Sequence, residues 1–155
     1  MRATYKALGH TIAGLVAVQA AVLALAVFGL WNWIDEGNSV TKAKVDSDAG
    51  LGSPGEVGFM LHGIIGMMVI PALALVFLIV SFFAKDVPGA VKWAVLLFVA
   101  VLLQVVVAIV AFSSPLVGAI HGLNALVIAW LGWHAAKLDS AVQTRAPSYE
   151  AAGGR

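Results

Sequence analysis

The sequence predicts an all-α fold, a single integral membrane four-helix bundle. Hydrophobic residues fill 61% of its 155 positions and charged residues only 11%. A soluble domain carries about 25% charged residues, so this chain lacks the polar surface that water requires. Four apolar stretches, at residues 8–31, 57–83, 90–112 and 115–137, each reach the roughly 20 residues a helix needs to cross hydrocarbon. They do not alternate with the period of two that a membrane barrel strand shows.

The first stretch follows a short basic flank, Arg2 and Lys6, and ends near Trp31. It is too long for the apolar core of a signal peptide and no small-x-small cleavage site follows, so it is expected to be retained. A loop over residues 32–56 carries Asp35, Glu36, Asp46, Asp48 and Glu56 against Lys42 and Lys44. The second stretch has Pro71 near its middle, which is expected to kink it and free a backbone carbonyl. A turn at residues 84–89 leads to the third stretch, and Ser113-Ser114-Pro115 to the fourth, with Pro115 suited to a first helical position. Residues 1–138 thus read as one transmembrane domain with an outer loop at 32–56, and residues 139–155 as a flexible tail.

Lysine and arginine bias sets the expected orientation. Arg2 and Lys6, then Lys85 and Lys92, then Lys137, Arg145 and Arg155 fall on one side of four crossings. Both termini are therefore expected in the cytoplasm and the long loop outside. Trp31 and Trp33 would mark the outer interface; Trp93, Trp130 and Trp133 the inner one.

The candidate site is a pair of histidines. Leu61-His62-Gly63 and Ile120-His121-Gly122 each place a histidine a few residues inside an apolar stretch. At 1.5 Å per residue both rings lie roughly 8–9 Å below the helix start. An imidazole in hydrocarbon is unfavourable by several kcal/mol unless something holds it, and two at one depth suggest a shared ligand. The chain has no cysteine, which excludes disulfides, thiolate metal sites, iron–sulfur clusters and thioether-linked haem. A bare ion would be short of donors, whereas haem brings four nitrogens and needs only two axial imidazoles. Gly63, Gly66, Gly118 and Gly122 flank the pair and would admit either a flat ring or a neighbouring helix.

Gln19 and Gln104 are buried amides that either bond between helices or orient a histidine's second nitrogen. Each precedes an outer loop and then a His-Gly helix, so the first two helices look like the last two, as two repeated hairpins. In that arrangement His62 and His121 face each other. His10 and His134, near the inner ends of the first and fourth helices, form the second-site alternative for another haem. Asn32, Trp33, Lys42 and Lys44 lie on the expected haem side and are candidates to meet its propionates.

A histidine near the outer end of helix two and an equivalent one in helix four resembles one half of haem A synthase, whose four-helix bundles each carry such a pair. Leu61-His62-Gly63 and Ile120-His121-Gly122-Leu123-Asn124 are also similar to a family of small four-helix bacterial membrane proteins. The resemblance implies the fold, the topology, a bacterial cytoplasmic membrane and bis-histidine haem ligation at His62 and His121. This chain departs from haem A synthase in several ways. Its nearest acid before His62 is Glu56, Gly63 stands where an arginine commonly follows, the outer-loop cysteine pair is missing, and the chain is half as long. Those departures speak against oxygenation of a haem methyl group.

The expected function is therefore a membrane-embedded b-type cytochrome with one haem b, transferring electrons to or from quinol or another membrane redox protein. The alternatives are a haem storage or transfer protein and a cofactor-free accessory subunit of a larger complex; a homo-oligomer is compatible with each. No nucleophile–base pair, phosphate loop or paired carboxylates stand out in the stretches, so an ordinary enzyme is the weaker expectation. The net charge of +1 gives no reason to expect nucleic acid, and Asp46-x-Asp48 is read as a solvated loop rather than a calcium site.

Overall fold

The computed structural model describes residues 1–47 and 50–143, with side chains up to residue 138. Its elements are α1 (Arg2–Asp35), α2 (Lys42–Val45), α3 (Gly55–Ile64), a π turn (Ile65–Val69), α4 (Ile70–Ser81), α5 (Ala90–Ala111) and α6 (Pro115–Gln143). α3, the π turn and α4 run on as one helix. Four helices, Arg2–Asp35, Gly55–Ser81, Ala90–Ala111 and Pro115–Leu138, are long and apolar enough to cross a membrane. They are referred to below as the first to fourth spans. Helices are what such sequence must form there, because hydrocarbon offers backbone N–H and C=O groups no other partner. The chain is an all-α, multi-pass membrane protein.

Each span packs on its two antiparallel neighbours, so the four close into an up-down-up-down bundle with the first span against the fourth. The second and fourth spans are then diagonal to one another. Packing is dense at the end that holds the N-terminus and the 82–89 turn. Tyr5, Ile12, Ala74, Phe77, Ala94, Leu97, Ile128 and Ala135 are buried there. Gly9 and Gly132 let the first and fourth spans nearly touch: a Cβ on Gly9 would lie 2.7 Å from the Gly132 carbonyl oxygen. At the long-loop end the first and second spans meet through small residues. A Cβ on Gly58 would lie 2.6 Å from both the Ala26 nitrogen and the Val22 oxygen.

The first span is longer than its apolar stretch. Residues 1–7, expected as a basic flank, join the helix from Arg2 because Tyr5 belongs to the core. Its ring stacks on Phe77 with centres 4.5 Å apart, and its hydroxyl donates to the Ala90 carbonyl at 3.1 Å. At the other end the helix runs past Trp31 to Asp35. The second span is 55–81 rather than 57–83, since Phe82 and Phe83 already turn. Pro71 does not break this span. The missing N–H is accommodated by the widened π turn at Ile65–Val69, immediately before it.

The long loop is held locally. Thr41 caps α2 by accepting from the Lys44 nitrogen at 3.3 Å. The Glu56 carboxylate accepts from the Leu51 and Gly52 nitrogens. Asp48, Arg145, Arg155 and the tail beyond residue 143 lie outside the described residues.

Candidate functional site

Toward the long-loop end the bundle is hollow. A cavity of about 330 Å³ lies among all four spans. Gln19 and Leu23 of the first span, His62, Gly63, Gly66 and Met67 of the second, Gln104 and Ala108 of the third, and His121, Gly122 and Ala125 of the fourth line it. Apart from the two histidines and two glutamines, its walls are apolar. The dense packing of the opposite half ends at Ile70, Val101 and Ile128, which form the cavity floor and are buried.

His62 and His121, both half-buried, project into this space from diagonal spans. Their ring centres are 6.3 Å apart and their planes inclined by 58°. The π turn helps to aim the first ring. Residues 62, 66 and 70 line the cavity together, yet a row spaced by four drifts about 40° per step on a regular α-helix. The extra residue of the π turn slows that drift and keeps the row on one face.

Each histidine is tied to the preceding span by a glutamine, in both halves of the chain. The Gln19 amide nitrogen donates to the His62 backbone carbonyl at 3.0 Å, and the Gln104 amide nitrogen donates to the His121 carbonyl at 3.0 Å. The rings themselves are held differently. His62 Nδ1 lies 3.3 Å from the Gln19 backbone oxygen. His121 Nε2 lies 3.1 Å from the Gln104 amide nitrogen. Asn124 completes the second arrangement, donating to Gln104 Oε1 at 2.7 Å and to the Ala100 carbonyl at 2.9 Å. Two buried polar atoms of the site, Gln19 Oε1 and His121 Nδ1, have no hydrogen-bond partner among the described residues.

The four flanking glycines separate into three roles. A Cβ on Gly63 or Gly122 would meet nothing within 4 Å, so these two leave space at the cavity wall. A Cβ on Gly66 would lie 2.6 Å from Gln19 Nε2, so this glycine admits the amide that holds His62. Gly118 is not among the cavity residues, and nothing lies within 4 Å of its would-be Cβ.

His10 and His134 are not brought together. His10 meets the edge of Trp133, centres 5.0 Å apart, while His134 lies against Trp93 at 4.2 Å and stacks on Trp130 at 5.0 Å. Lys42 pairs with Asp46 at 2.6 Å. Lys44 lies 5.1 Å over the Trp33 ring; neither lysine, nor Asn32 or Trp33, lines the cavity. Asn124 is the site residue that sequence reasoning passed over. It stands three positions after His121 in an apolar helix, a spacing that puts both on one face.

Comparison with models of known protein families, with curated proteins and with solved structures finds no match to this chain.

Proposed function

We propose that this membrane protein binds one haem b between His62 and His121 and serves as a b-type cytochrome in electron transfer. The observation that carries this reading is the 6.3 Å between the two ring centres. Two imidazoles bonded through nitrogen at about 2 Å to opposite sides of one metal atom have centres roughly 6 Å apart.

The residues present fit the group. Among the described residues, no three His, Cys, Asp or Glu side chains converge. A bare ion would therefore lack ligands that a porphyrin supplies itself. The cavity, about 330 Å³, lies within the roughly 300–1,000 Å³ range of cofactor sites. Its two unpartnered polar atoms, Gln19 Oε1 and His121 Nδ1, favour an occupant, because buried polar atoms in a native protein nearly always have one.

When bound, haem supplies a one-electron couple. The chain's own contribution is orientation and dielectric. Because a carbonyl oxygen only accepts, the contact with Gln19 puts the proton of His62 on Nδ1 and leaves Nε2 with its lone pair. The same bond makes that nitrogen a better donor to a metal. Gly63 and Gly122 keep the approach to both rings clear. The apolar walls disfavour net charge in the cavity and exclude water, which shifts the balance between oxidation states. The termini are taken as cytoplasmic on the lysine and arginine bias, and the site, on the resemblance, as lying in the outer leaflet of a bacterial cytoplasmic membrane, where quinol or another membrane redox protein would meet it.

Titrating haem into the purified chain in detergent tests the reading. One equivalent should give a saturating, sharp Soret band. No saturable band would point instead to a cofactor-free accessory subunit. Ready passage of the bound haem to an apo-acceptor would favour storage or transfer.

A further inference from the structure

The two histidines are held unequally, and we infer that His62 is the standing ligand while Gln104 makes His121 an exchangeable one. The reduced site then accepts a neutral diatomic ligand in place of His121. This inference rests on the haem reading above.

The inequality follows from the hydrogen bonds. His62 Nδ1 donates to a backbone carbonyl, and its Nε2 has no bond to give up before meeting a metal. On the other side the orientation of each amide is fixed in turn. Asn124 Nδ2 faces the Ala100 carbonyl at 2.9 Å, so it is a donor, and the Gln104 atom it meets at 2.7 Å is therefore the oxygen. The other end of Gln104 must then be the nitrogen. It spends one N–H on the His121 carbonyl and turns the other toward His121 Nε2 at 3.1 Å. That nitrogen accepts, so the ring proton sits on Nδ1, which is buried without a partner.

His121 can therefore bind a metal through Nε2 only by giving up the Gln104 bond, or through Nδ1 only by moving its proton. His62 faces neither penalty. In the exchange, the metal–nitrogen bond to His121 breaks and the lone pair returns to the ring, where it accepts the Gln104 N–H. The carbon lone pair of carbon monoxide fills the vacated position; no electron changes hands and no proton leaves. Gly122, with nothing within 4 Å of a would-be Cβ, leaves room beside the displaced ring.

The test is a carbon monoxide titration of the reduced, haem-loaded full chain, read by the Soret shift. Wild type should bind carbon monoxide. Gln104→Leu should weaken that binding about threefold to tenfold, the range expected of one intramembrane hydrogen bond, and should keep the six-coordinate spectrum before gas is added. Gln104→Met serves if the leucine variant does not fold. Tyr5→Phe, which loses only a bond to the Ala90 carbonyl at the far end of the bundle, should leave the affinity unchanged. His121→Ala should keep haem on His62 and bind carbon monoxide more tightly than wild type, whereas His62→Ala should lose haem. A wild-type six-coordinate spectrum unmoved at saturating gas, or an unchanged affinity in Gln104→Leu, overturns the inference and leaves the cytochrome reading standing. Failure of the wild type to take up haem overturns both.

Discussion

The side chain of Gln19 donates to the backbone carbonyl of His62 at 3.0 Å, across the interface of the first and second spans. Gln104 makes the same bond to His121 at 3.0 Å across the third and fourth. The two hairpins thus set their histidines with one device, but the networks beyond it differ. Gln19 Oε1 has no partner among the described residues, whereas Gln104 Oε1 accepts from Asn124. Gln19→Leu is therefore expected to change stability by less than about 1 kcal/mol, because losing one intramembrane bond is offset by losing a stranded oxygen. Gln104→Leu should cost more, about 1–2 kcal/mol, since it removes partners of both His121 and Asn124. Reversible unfolding in mixed micelles measures the difference.

Glycines of different surroundings should respond in opposite ways. At Gly58 the atoms that a Cβ would strike are backbone, 2.6 Å away, and cannot yield without parting the first two spans. Gly58→Leu is expected to destabilise the chain by about 3 kcal/mol or prevent folding. Gly63→Ala meets nothing within 4 Å, so it should fold as wild type does and affect only what the cavity holds. Thermal unfolding in detergent, with a haem titration on the same samples, separates the two effects.

Tyr5 anchors the dense end of the bundle. Tyr5→Phe keeps the stack on Phe77 and loses only the bond to the Ala90 carbonyl, a change of about 1 kcal/mol. Tyr5→Ala empties a fully buried site and should cost about 3–5 kcal/mol. Neither lies near the cavity, so haem stoichiometry in whatever protein folds should stay at one.

The π turn makes a prediction about register. Deleting Met68, an exposed residue within Ile65–Val69, should restore a regular helix and turn His62 by roughly 100° relative to α4. The chain should still insert in the membrane, yet lose its haem spectrum. Retention of a wild-type spectrum would show that the π turn has no part in aiming the ring.

Much of this fold can be read in the sequence because hydrocarbon leaves few choices. Long apolar runs must be helices, and their number and rough limits follow from length alone. The joint placement of His62 and His121 is also legible, since depth is a count of residues from each helix start. What composition could not reveal is set by specific packing. Tyr5 draws residues 2–7 into the first span through contacts with Phe77 and Ala90. Pro71 reads as an interruption of the helix, but that it is accompanied by a π turn at Ile65–Val69 is a local detail that composition does not show. Gln19 and Gln104 are recognisable as buried amides, but the part of Asn124, and which atom of Gln104 faces which, depend on the crossing of the third and fourth spans. Likewise the tryptophan rings that His10 and His134 lie against, Trp133 for one and Trp93 and Trp130 for the other, follow from packing and not from spacing along the chain.

The absorption spectrum of the haem-loaded chain, oxidised and reduced, tests the central claim most directly when it is recorded for wild type and four single alanine variants. A bis-histidine spectrum with sharp α and β bands on reduction is expected for wild type, His10→Ala and His134→Ala, and its loss for His62→Ala and His121→Ala. A wild type that stays colourless, or a spectrum that survives both His62→Ala and His121→Ala, would contradict it.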